Sequence, residues 1–204
     1  MRETWRDVIL RIRCRLTACA LGLGVAAAAL GASAVGYIGI ATADEPDEPV
    51  PEWLVKAGLV YNIAKLTDWP EDAFPTPDAP FSVCLLNEAN RYGNHFAAIA
   101  GKPVHGRTLE VRHGTKLTEL KACQLLFLIE EDEPRLPAIA SALKGLPVLT
   151  VSEIEYFVES GGMVALFLED DRFQFKINPG AAAQARLLIH SQLLRMARIA
   201  KGRP

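Results

Sequence analysis

Two apolar rhythms divide the chain beyond residue 52. Trp53, Ala57, Val60, Tyr61 and Ala64 recur at helical spacing, which predicts a helix over Trp53–Leu66. Phe81–Leu86 (FSVCLL) and Gln124–Ile129 (QLLFLI) are instead short and nearly all apolar, as strands covered on both faces are. Thr108–Arg112 (TLEVR) alternates, and Pro147–Val151 (PVLTV) reads as a further strand. Short helical segments are expected between them at His95–Ala100, Leu117–Ala122, Pro134–Leu143 and Ile154–Ser160, the last closed by Gly161-Gly162. Met163–Leu168 and Arg172–Ile177 are strands joined by Glu169-Asp170-Asp171, the pattern of a hairpin. The final stretch, Ala181–Lys201, predicts one long helix. Ala182, Ala185, Ile189, Leu193, Met196 and Ala200 share a face, opposite Gln184, Ser191, Arg195 and Arg198.

Strands and helices alternate, so the expected fold is a three-layer α/β domain over residues 53–201. Its sheet is mainly parallel with helices on both faces, an antiparallel hairpin near the C-terminal end, and a long C-terminal helix. One junction stands out. The first helix runs into Trp69-Pro70, and proline biases the residue before it out of the α region. The helix should therefore stop near Asp68, with the indole swung off its axis. There the ring either plugs the core at the sheet's edge or faces a partner.

The first 43 residues have another character. Arg2, Arg6, Arg11, Arg13 and Arg15 precede an uncharged run from Leu16 to Ile40, and Ala41-Thr42-Ala43 follows. A basic start, an apolar stretch and an A-x-A site describe a secretory signal peptide, with a retained N-terminal anchor as the alternative. Leu16-Thr17-Ala18-Cys19 resembles a lipoprotein box, but the apolar segment follows the cysteine instead of preceding it. Either way the arginines stay inside and the rest of the chain lies outside the cytoplasm. Residues 44–52, acidic and proline-rich, read as a flexible tether. Without the leader, residues 44–204 hold 17 Lys and Arg against 22 Asp and Glu, a net charge of −5. No basic patch stands out, which argues against a nucleic-acid partner. Cys84 and Cys123 are the cysteines left after the leader. An even pair in an oxidising compartment favours one disulfide over two buried thiols.

Chemistry-bearing motifs are few. Gly101-Lys-Pro-Val-His-Gly106-Arg107-Thr108 approaches the phosphate-loop pattern, yet a helix precedes it and β-prone residues follow. Pro103 also removes an amide donor, so a turn into an edge strand is expected. His95, His105, His113 and His190 show no metal-ligand spacing, and no G-x-S-x-G occurs; no metal, cofactor or catalytic residue is expected. Glu130–Glu133 (EEDE) reads as a solvated loop. Arg186 and His190 fall one turn apart in the expected last helix, placed to meet an anion or simply solvated.

Taken in order, several segments resemble the YfiR family of periplasmic proteins. They are Lys56-Ala57, Tyr61-Asn62 and Trp69-Pro70; the strand bearing Cys84; Gly101–Val104 with Gly106-Arg107; Cys123 at the head of its strand; Pro147–Val151; Gly161–Met163; Arg172-Phe173 and Ile177-Asn178; and Ser191–Leu194 with Ala197. The resemblance spans about residues 53–200. It implies an α/β fold, dimerisation, and a disulfide at the positions of Cys84 and Cys123. It implies no catalysis, but repression of an inner-membrane diguanylate cyclase through its periplasmic sensor region. The family's namesake carries a second disulfide further along, for which this chain has no cysteines. The competing expectation is a periplasmic small-ligand binder feeding a kinase or transport system. Trp69, Arg172, Lys176, Arg186 and His190 are the candidate partner or ligand contacts.

Overall fold

In the computed structural model, residues 50–86 and 95–200 are described. The expected leader, residues 1–43, lies outside them, as do residues 44–49 of the expected tether and Lys201. Glu52, the tether's last residue, already belongs to the first helix, α1 (Glu52–Lys65), where its carboxylate favours the helix's positive end. The helix ends three residues before the expected point. Thr67–Asp68 is a short strand, β1, and extended backbone begins before Trp69.

The central sheet takes its strands in chain order as β2 (Phe81–Leu85), β3 (Pro103–Val104), β4 (Arg107–Arg112), β5 (Leu125–Leu128), β6 (Leu149–Ser152), β7 (Val164–Glu169), β8 (Arg172–Ile177) and β10 (Arg198–Ile199). Across the sheet they stand as β10-β8-β7-β6-β5-β2-β4-β3. β4, β2, β5, β6 and β7 run parallel to one another, β3 pairs antiparallel with β4 at one edge, and β7 and β8 form the expected antiparallel hairpin. Counted along the chain, the five parallel strands have the order 2-1-3-4-5 of doubly wound flavodoxin-like sheets.

Period-two alternation sends the strand side chains into two separate cores. Phe81, Val83, Leu85, Leu125, Phe127, Leu149 and Val151 pack with α1. Cys84, Leu86, Leu126 and Leu128 pack on the other face, against Leu120 of a 3-10 turn (Leu117–Ala122) and Ile139 of α2 (Leu136–Leu143). Both faces are covered, which is why these runs carry almost no polar residue.

The near-phosphate-loop motif is a hairpin. Pro103 pairs with Thr108 and Val104 with Arg107, antiparallel, across a two-residue turn. His105 (φ 48) and Gly106 (φ 77) are both left-handed, the type I′ geometry that matches strand twist. Glu130–Arg135 is a 3-10 turn and not a fully solvated loop, because Asp132 is buried. It accepts a bond from the Ile129 amide at 3.2 Å and pairs with Arg135 at 3.5 Å.

Two expected helices are absent. Ile154–Ser160 is a run of turns, because Tyr156 sits at φ 57, where a right-handed helix cannot continue. The long Ala181–Lys201 helix is replaced by α3 (Pro179–Gln184), β9 (Leu188–Ile189), α4 (Ser191–Met196) and β10. Arg186 turns left-handed at φ 60 and ends α3. Thr67 then pairs with Ile189 and Asp68 with Leu188, antiparallel, while Arg198 and Ile199 extend the sheet beside Lys176 and Ile177. Alanine, leucine and arginine favour helix intrinsically, but strand partners elsewhere in the chain override that preference. Ala182 and Leu193 of the expected apolar stripe are still buried, carried by two different helices.

Asn178 caps α3, its Oδ1 accepting from the Ala181 amide at 3.0 Å. Asn178→Ala is expected to lower stability by about 1 kcal/mol, measurable by urea denaturation.

Candidate functional site

Trp69 lies where the extended chain after β1 meets the sheet. Its ring stands edge-on to Phe81 of β2, with centroids 4.9 Å apart and planes at 86°. Its Nε1–H donates to the Gln124 carbonyl at 3.0 Å. That carbonyl also accepts the Leu149 amide at 2.9 Å, so one oxygen joins the Trp69 hook to two neighbouring strands. The buried Gln124 side chain completes a clasp. Its Oε1 accepts from the Ser82 amide at 2.8 Å and its Nε2 donates to the Ala73 carbonyl at 2.7 Å. The indole is half-buried, packed against the α1-side core. Gln124, the first residue of an apolar run, is not among the contacts that the sequence singles out. A polar residue heading a strand buried on both faces must find partners, and that was the available signal.

The hook also carries two carboxylates that hold the C-terminal segment. Asp68 accepts from His190 Nε2 at 2.8 Å and stands 3.9 Å from His105 Nδ1. His105 Nε2 faces the Thr67 and Ala64 carbonyls at 2.8 and 3.2 Å. Asp72 takes both bonds from Arg186 Nη1, at 3.0 and 2.8 Å. Trp69, Arg186 and His190 are thus brought together by residues 67–72, and neither Arg186 nor His190 lies within a helix. Both already face carboxylates, which weakens any attraction for a free anion. Arg172 and Lys176 lie elsewhere, on β8, where Lys176 pairs with Glu159 at 2.7 Å. The pair draws the Glu159 carboxyl below its usual range, chiefly through the hydrogen bond from Lys176.

The Asp72–Arg186 pair is exposed, with side chains 63% and 51% accessible. Arg186→Ala is therefore expected to cost no more than about 1 kcal/mol through the ion pair, falling with added salt. A thermal melt at two ionic strengths reads it.

Cys84 and Cys123 are joined, with Cα atoms 5.9 Å apart. The bond ties β2 to the residue leading into β5, its hydrogen-bonded neighbour, inside the α2-side core.

A second polar constellation opens at the carboxyl ends of β5 and β6. A cleft of about 280 Å³ is lined by Trp53 and Lys56 of α1, Phe96, Phe127 of β5, and Glu153 just beyond β6. Phe96 and Phe127 sit 4.9 Å apart, and Trp53 stacks on His95 at 5.0 Å with planes 12° from parallel. Lys56 forms a 2.8 Å salt bridge with Glu52 and a short one with Glu153. Burial works against the Lys56 ammonium, but the bonds to Glu153 and Glu52 outweigh it and hold its pKa above the ordinary lysine value. Doubly wound sheets place ligands at such strand ends, beside the point where the order reverses. Here that reversal lies between β2 and β5.

Among the described residues, no group of His, Cys, Asp and Glu is arranged to hold a metal, and no helix is long and apolar enough to cross a membrane. Fold and site together define a doubly wound α/β domain whose C-terminal segment is strapped to a Trp-Pro hook. The YfiR/HmsC-like family profile matches residues 54–198, and the chain belongs to that family. The family is one of periplasmic regulators. Comparison with curated proteins gives no match.

Proposed function

We propose that the protein is a non-catalytic periplasmic regulator. It binds the periplasmic sensor region of an inner-membrane diguanylate cyclase and holds that enzyme inactive, lowering cyclic di-GMP and restraining biofilm formation. The observation that carries this reading is the family match across residues 54–198. In this reading residues 1–43 are the export signal, residues 44–52 a spacer, and residues 53–201 the binding domain, which acts as a homodimer.

Two faces offer candidate contacts. One carries Arg172 and Lys176 on the β7–β8 hairpin; the other carries Trp69, Arg186 and His190 around the hook. Charge reversal separates them. Tagged protein purified from the envelope should bring down a membrane protein with a periplasmic sensor region. Capture should be lost in either Arg172→Glu or Arg186→Glu while both variants stay folded. Recovery of no such membrane protein counts against the reading.

The second reading, a small-ligand binder feeding a kinase or transport system, is favoured by one observation, the cleft at the ends of β5 and β6.

A further inference from the structure

We propose that a second copy of the chain pairs edge to edge with the outer side of β8, joining two sheets about a twofold axis at Phe173. The two edges of the sheet differ. At one, β3 is two residues long and begins with Pro103, which lacks an amide donor and discourages further pairing. At the other, β10 covers only Lys176 and Ile177. It leaves Arg172–Phe175 of β8 with no strand beside it among the described residues. β8 contains no proline, and its register with β7 runs unbroken from Arg172 to Ile177, so no bulge turns the edge away.

The turn sets the direction of the backbone groups. Asp170 and Asp171 form a two-residue hairpin loop, so Arg172, Gln174 and Lys176 turn their amides and carbonyls toward β7. Those of Phe173, Phe175 and Ile177 face outward, in keeping with the 2.9 Å bond from the Ala200 amide to the Ile177 carbonyl. An antiparallel copy centred on Phe173 pairs the amide and carbonyl of that residue with those of its own counterpart. The side chains favour this self-pairing. Leu168, opposite Phe173 on β7, is 57% exposed although it alternates in phase with the buried Val164 and Leu166. Across the joint, Leu168, Phe173 and the same two residues of the second copy form one apolar row. On the other face Arg172, which has no ion pair among the described residues, meets Gln174 of the second copy, whose amide oxygen accepts its hydrogen bond. A register centred on Gln174 would set Arg172 against Lys176 instead, a contact of like charges.

This inference rests on the homodimer of the regulatory reading and names the surface that forms it. The full mature protein should sediment as a dimer at about 10 μM. Gln174→Lys sets two lysines against two Arg172 side chains and should weaken the dimer by at least about tenfold. Phe173→Cys gives a second test. Counterpart Cα atoms would stand about 5.5 Å apart, within the roughly 4.4–6.8 Å that a disulfide spans, so mild oxidation should yield a covalent dimer. Thr108→Cys, exposed on β4 near the opposite edge, should yield none. Circular dichroism checks that each variant is folded. The interface is overturned if the mature protein is monomeric at about 100 μM, if folded Gln174→Lys dimerises with unchanged affinity, or if Thr108→Cys cross-links and Phe173→Cys does not. Partner capture and the cyclic di-GMP level judge the regulatory reading separately, so a dimer that survives Gln174→Lys removes this interface alone.

Discussion

Trp69→Ala should lower the unfolding free energy by about 3 kcal/mol, near the bottom of the range for large aromatic truncations, because the indole is only half-buried. Two losses combine. The edge-on contact with Phe81 disappears, and the Gln124 carbonyl loses its indole donor. Trp69→Phe separates them, since it keeps a ring against Phe81 but no N–H. The carbonyl retains the Leu149 amide, so the phenylalanine variant should lose only about 1 kcal/mol of hydrogen bonding. Denaturant titrations of both variants, with tagged-protein capture alongside, distinguish a folding role from a binding one. A stable Trp69→Ala protein that no longer captures its partner would place the indole at the interface instead of in the fold.

Replacing both Cys84 and Cys123 with alanine should cost about 4 kcal/mol, the chain-entropy value for a loop of the 39-residue separation the bond closes. Cys84 and Cys123 are 0% and 2% exposed as residues, so a reductant has no direct path to the bond in the folded domain. Reduction of native protein should therefore be slow and should accelerate with denaturant, tracking the opening of the α2-side core. Mass spectrometry after timed alkylation reads this. Rapid alkylation of both thiols in oxidising, non-denaturing buffer would contradict the bridge.

The covered strands were legible because burial on both faces writes itself into a few consecutive residues, as in FSVCLL and QLLFLI. The hairpin of β7 and β8 was legible for a similar reason, its turn being marked by Glu169-Asp170-Asp171. The C-terminal segment was not. Its helix-like spacing was real, but Leu188 and Ile189 are claimed by β1, and His190 by Asp68 across 122 residues. Nothing local to Ala181–Lys201 announces those partners. Ile154, Phe157 and Val158 likewise mimic a helix face, and only the left-handed backbone at Tyr156 turns them into a loop. Within the site, the even cysteine pair in an oxidising compartment points to a bridge from the sequence alone. The Asp68–His190 and Asp72–Arg186 pairs did not show in the sequence, since their members are ordinary polar and charged side chains until the fold closes around them. The same holds for Lys56 and Glu153, 97 positions apart, on which the cleft depends.

The regulatory reading makes its sharpest claim about cyclic di-GMP in the cell. Deleting the gene should raise the intracellular level, and exported wild-type protein supplied in trans should return it to its starting value. An unchanged level in the deletion strain, in cells shown to export the protein, would contradict the account.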